Sequence, residues 1–113
     1  MNEPLPKPSV TIPDLLAHQP IPDEGILTRT VFEAPHAKCV LFTFSAGQEL
    51  SEHTASMPAV MHFLQGQAEV RLGGETVHAG PGSWVHMSSG CLHAIRTKTP
   101  VVMLLTLFRP AAN

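Results

Sequence analysis

Histidine is the main chemical resource of this chain. There are seven in 113 residues, and five of them (His53, His62, His78, His86 and His93) lie between positions 53 and 93. Neutral imidazole is the commonest ligand for transition metals and a general base near neutral pH, so several histidines in one pocket could hold a metal, anchor a polar ligand or move a proton. Carboxylates are sparse between positions 47 and 93, where Glu49, Glu52, Glu69 and Glu75 are the only ones. A paired-carboxylate mechanism therefore has little to draw on, and no serine or cysteine sits in a nucleophile elbow. The chain contains no tyrosine, so a histidine base would lack a phenolic acid partner. Cys39 and Cys91, without CxxC spacing, read as buried reduced thiols rather than a disulfide framework or zinc knuckle. Cys91 precedes His93 by two residues and would share its face of a strand. A thiol ligand or thiol dioxygenase-type chemistry is thus open beside the reading of a spectator thiol.

The elements that must position these side chains are short and β-rich. From residue 26 onward, apolar runs are punctuated by turn residues every 8 to 12 positions, the spacing of an all-β sandwich or barrel. The expected strands are 26–33, 39–45, 59–65, 68–72, 75–79, 83–87, 92–97 and 101–108. Gly73-Gly74 is a hairpin signal, and Ala46-Gly47, Gln65-Gly66, Gly80-Pro81-Gly82 and Ser88-Ser89-Gly90 supply the other turns. Cys39-Val40-Leu41-Phe42-Thr43-Phe44 is apolar on both faces, so both sides of the sheet must be covered, one by the barrel interior and the other by an arm or a second subunit. A homodimer is expected on that ground.

Six of the eleven prolines fall in the first 22 residues, which makes 1–24 an extended Pro-rich arm and 25–113 the barrel. Within the arm, 12–18 is expected to form one helical turn, capped by Thr11 and stopped by Pro20 and Pro22. A net charge of −2 with no basic run argues against nucleic acid or a lipid surface as partner. The longest apolar run, 101–108, is far short of the roughly 20 residues that span a bilayer. The N-terminal residues lack the h-region and cleavage site of a secretory signal, so a cytoplasmic location is expected.

Residues 38–108 resemble the cupin superfamily, in particular its small, single-domain, RmlC-like members. Gly47, five residues and His53 fit the start of the first cupin motif, and Gly66 fits its end. Ala55 stands at the second histidine and Ala59 at the glutamate. In the second motif Gly82, Gly90 and His93 match, while Ser88 replaces proline and Thr97 replaces asparagine. The resemblance implies a double-stranded β-helix, the jelly-roll barrel, with His53 and His93 facing each other at its mouth. It also implies a divalent transition metal (Fe, Mn, Zn, Ni or Cu) as a possible cofactor, for which two of the four usual ligands remain. Strand parity from Ala59 puts Met61 and Phe63 inward and His62 outward, and pairs His86 with Trp84 on a face that parity alone does not assign. His86, and after it His62, are the candidates for a third donor. Met61 or Met87 could offer a soft sulfur, although methionine in a barrel is usually core.

Three functions follow. The favoured one is a small-molecule-binding barrel with a degenerate His-based metal site and a pocket lined by Met61, Phe63, Trp84, Cys91 and Met103. The others are a metal-dependent, dioxygenase-like enzyme and a metal-independent isomerase using His53 or His93 as general base.

Overall fold

The computed structural model describes residues 8–110. Its apolar alternation folds into nine strands: β1 (Ile26–Ala34), β2 (Ala37–Phe44), β3 (Glu49–Thr54), β4 (Ala59–Gln65), β5 (Ala68–Leu72), β6 (Glu75–Ala79), β7 (Trp84–Met87), β8 (Leu92–Thr97) and β9 (Val101–Phe108). Every pairing is antiparallel. One sheet runs β1-β2-β9-β4-β7 and the other β3-β8-β5-β6. Among the described residues no helix is long and apolar enough to cross a membrane.

Eight strands fall within two residues of their expected limits, and β3 was not expected. Its sequence Glu49-Leu50-Ser51-Glu52-His53-Thr54 has no apolar alternation, because it is a sheet edge with every residue but Leu50 exposed. An edge strand pairs on one side only and is commonly charged, so the hydrophobic pattern that reveals a central strand is missing here.

The inner faces of the two sheets meet over Phe44, Met61, Phe63, Val70, Ile95, Val101 and Met103, none more than 2% exposed. Each such side chain stabilises the fold by roughly 1.5–3 kcal/mol relative to an exposed position. Gly66 makes the turn from β4 to β5 in the left-handed region (φ +90), and a Cβ there would stand 2.0 Å from the Pro100 carbonyl oxygen. Only glycine fits that approach.

The outer face of β2 is also closed, with Leu41 and Thr43 both 0% exposed. Here the N-terminal segment lies across the strands. Gln19 is 7% exposed, and its Nε2 donates to the Leu41 carbonyl (3.3 Å), the Leu27 carbonyl (3.2 Å) and Thr43 Oγ1 (3.0 Å). Thr43 Oγ1 in turn donates to the Pro20 carbonyl (2.9 Å). The helical turn is shorter than expected, a 3₁₀ turn at Leu15–Ala17, and its cap is Asp14, not Thr11. The Asp14 carboxylate accepts from the Leu16 N–H at 3.0 Å, a local side-chain bond that starts the turn three residues later. Residues 1–7 of the expected arm lie outside the described residues.

Candidate ligand site at the paired histidines

His53 and His93 come together through a defect in strand pairing. Leu50 pairs with Ile95, and His53 pairs with His93, so three steps along β3 match two along β8. The extra residue is a β-bulge. Strict alternation would put Leu50 and His53 on opposite faces, yet both now share the side occupied by Ile95 and His93. Glu52 stays outside, where its carboxylate pairs with Arg71 at 2.9 Å.

The two imidazoles stand with ring centroids 4.1 Å apart and planes inclined at 56°. His93 is 6% exposed, whereas His53 faces solvent at the end of its edge strand. His53 Nδ1–H donates to the Ser51 carbonyl at 2.7 Å, and His93 Nδ1–H donates to the Cys91 carbonyl at 3.0 Å. A carbonyl can only accept, so each neutral ring carries its proton on Nδ1 and leaves the Nε2 lone pair free. Backbone contacts of this kind fix both tautomer and ring orientation. The loops beside the pair are tied together, since Gly90 N–H donates to the Ala55 carbonyl (2.8 Å) and Ser89 Oγ to the Ser56 carbonyl (2.6 Å).

The other expected site residues are placed elsewhere. His62 lies opposite Trp84, and His86 opposite Val60, all on the outer face of the five-stranded sheet, so neither histidine can complete a site with His53 and His93. Trp84 is 63% exposed, which removes it from the interior pocket expected of it. Met61, Phe63 and Met103 do point inward, but at no more than 1% exposure they are packed core rather than open lining. Cys91 is half-buried against that core, and its contribution to the pair is its backbone carbonyl, not its thiol. Both thiols are free; Cys39 is half-buried and contacts Thr106 Oγ1 at 3.6 Å.

Among the described residues no group of three or more His, Cys, Asp and Glu side chains could hold a metal ion. Ala59, at the position of the glutamate, is fully buried, and Ala55 brings no donor. Two imidazoles fall short of the three or four protein ligands that hold a transition metal firmly. The donor set therefore does not fit a conventional metal centre, whereas two free nitrogens at one rim fit the anchoring of a polar ligand.

A pair of antiparallel sheets around one core, with His53 and His93 on matched strands, defines a small double-sheet β-sandwich domain. The cupin domain family matches residues 40–107, and the chain belongs to that family. No curated protein matches. Among solved structures, a conserved protein of unknown function from Streptococcus pyogenes is similar with a TM-score of 0.81 and 27% identity, covering 96% of this chain and 93% of that one. An RmlC-like cupin from Desulfovibrio desulfuricans gives 0.79 and 26%, covering 91% and 100%. The DMSP lyase DddQ from Ruegeria pomeroyi gives 0.71 and 22%, covering 79% of this chain and 49% of that one, a likeness of fold alone. Cupins place unrelated chemistries on one barrel, so function must be argued from the site.

Proposed function

We propose that this cupin binds a small polar organic molecule at the rim of its barrel, with His53 and His93 as paired anchors. The observation that supports the reading is the juxtaposition of two imidazoles, 4.1 Å between centroids, each with Nδ1–H engaged and Nε2 free. As neutral rings they accept from hydroxyl or amide donors, and as imidazolium either ring donates to a carboxylate. The ligand sits at the rim because Met61, Phe63 and Met103 fill the space behind it.

The test is a thermal-shift screen of small hydroxy acids, polyols and amides against the native protein and the His53→Ala/His93→Ala double variant. A compound that binds the folded state at 100 times its Kd adds about 2.7 kcal/mol to stability. Such a compound should raise the native melting temperature and leave that of the double variant nearly unmoved. Equal shifts in the two proteins for every hit would remove the histidines from the site. Elemental analysis of protein prepared without chelators or nickel resin belongs with it, because stoichiometric metal lost in the double variant would replace this reading with that of a metalloprotein.

We also propose that two copies associate through the arm side of the five-stranded sheet. Val10, Leu16 and Leu27 support this, large apolar side chains 62%, 45% and 42% exposed along the arm and β1. Light scattering on the eluting protein gives the mass, and a monomer at all concentrations would rule the association out.

A further inference from the structure

The outer sides of the two sheets differ in charge. On the four-stranded sheet Glu69 lies opposite Arg96, and Arg71 pairs with Glu52, so charged side chains cover that face. On the five-stranded sheet β9, β4 and β7 contain no Asp, Glu, Lys or Arg. The one charge of β2, Lys38, alternates onto the side of Phe42 and Phe44, which belong to the core. The N-terminal segment lies over one half of this uncharged face, where Gln19 bonds the Leu27 and Leu41 carbonyls of β1 and β2. At the other end, on β7, Trp84 stands 63% exposed. The face is thus raised on one half and open on the other.

Along the raised half runs a groove of about 300 Å³, lined by Val10, Ile12 and Leu15 from the N-terminal segment and by Phe32, Cys39 and Leu104 from the strands. No charged side chain lines it. Register sets the groove level with Trp84, because Trp84 lies opposite His62 on β4 and His62 lies opposite Leu104 on β9. β9 is the middle strand of the sheet. A two-fold axis along β9, with two copies face to face, carries β7 of each over β1 and β2 of the other at the same height along the strands. Each Trp84 then meets a groove and each raised half meets an open half, so the face is complementary to itself. An uncharged face also meets its own copy without like-charge repulsion. Depletion of charge around an exposed tryptophan is the composition of an interface core. At about 3.4 Å per residue and 4.8 Å between strands, the sheet presents roughly 25 by 20 Å in projection; the N-terminal segment and side-chain relief raise that toward the roughly 800 Å² per partner of a standard interface.

We propose that two copies of this chain pack face to face about β9, each seating Trp84 in the other's groove between Ile12 and Leu104. This rests on the association through the arm side of the five-stranded sheet proposed above, and it adds the anchor, the socket and the symmetry. Trp84 is the chain's only tryptophan, so its fluorescence reports the contact directly.

The experiment follows mass by light scattering and tryptophan emission through one dilution series of the full chain. Mass should fall from two chains to one as the emission moves to longer wavelength, with a common midpoint. Trp84→Ala, a surface change that leaves the core intact, should raise the dissociation constant at least about ten-fold, and so should Ile12→Asp, which places a charge in the socket. Arg71→Ala, on the charged face of the other sheet, should leave it unchanged. Circular dichroism checks that each variant keeps the native strand content. A dimer that Trp84→Ala or Ile12→Asp leaves as tight as the native one, or whose emission stays constant on dissociation, overturns the seating of Trp84 while the arm-side association stands. A monomer at every concentration overturns both and leaves the face to a different partner.

Discussion

The inner and outer faces of the sheets each carry a pair of histidines, and the contrast shows what makes such a pair useful. His53 and His93 lie directly opposite across β3 and β8, with both Nδ1 protons held by backbone carbonyls and one ring almost wholly buried. His62 and His86 lie diagonally on β4 and β7, separated by the register partners Trp84 and Val60, the first half-buried and the second exposed. Residue type is the same in both. Register and face decide which pair can converge on one point.

The largest test of that contrast uses adjacent residues of β4. Phe63→Ala, at a fully buried inner position, should cost about 3–5 kcal/mol, whereas His62→Ala, half-buried on the outer face, should cost no more than about 1 kcal/mol. Urea denaturation of both variants measures the pair, and similar midpoints would show the two faces assigned wrongly.

Thr97→Val probes a polar group on the inner side of β8. Thr97 is 2% exposed, and its Oγ1 accepts from the Gln48 N–H at 2.9 Å and donates to the Ser45 carbonyl at 2.8 Å. The isosteric valine leaves both groups unpartnered, so a loss of about 1–3 kcal/mol is expected by the same assay. A neutral outcome would mean that water replaces the hydroxyl.

A third comparison sets His93→Ala against His86→Ala in the thermal-shift screen for hydroxy acids. The response to a rim ligand should fall by several degrees in the first and remain in the second; loss in both would show that the response does not come from the rim pair.

The smallest effect concerns an exposed ion pair. The Arg109 guanidinium hydrogen-bonds the Glu33 carboxylate and holds its pKa below the ordinary value of 4.5. A carboxylate depressed in the folded state contributes stability that is present above its unfolded pKa and lost as pH falls through the folded value. Glu33→Gln should therefore slightly flatten the acid limb of the stability curve below about pH 4.5 and leave stability at neutral pH nearly unchanged, as solvent screening requires for a surface pair. A steeper acid limb in this variant would reverse the sign of the linkage.

The fold was legible because its evidence is redundant. Alternating apolar runs, glycine turns and the spacing of Gly47, His53, Gly66, Gly82, Gly90 and His93 all point to one barrel. The juxtaposition of His53 and His93 was legible only through the motif. Parity placed His62 outward correctly, but it could not orient Trp84 and His86, because the short strand β7 has no independent reference for its inner face. Nor could alternation set His53 opposite His93, since that depends on the bulge between Leu50 and His53, a pairing irregularity invisible in a polar edge strand.

The amide of Gln19 gives the N-terminal segment a cooperative character that its extended, proline-rich sequence conceals. One side chain donates to acceptors on both β1 and β2, and Thr43 answers by bonding back to Pro20. Detaching the segment would uncover three acceptors in a single event, so the expectation is a latch with two positions and not a fraying end. In hydrogen-exchange terms, local opening would then occur in a shared step with its own free energy, set by one glutamine rather than by the length of the strap.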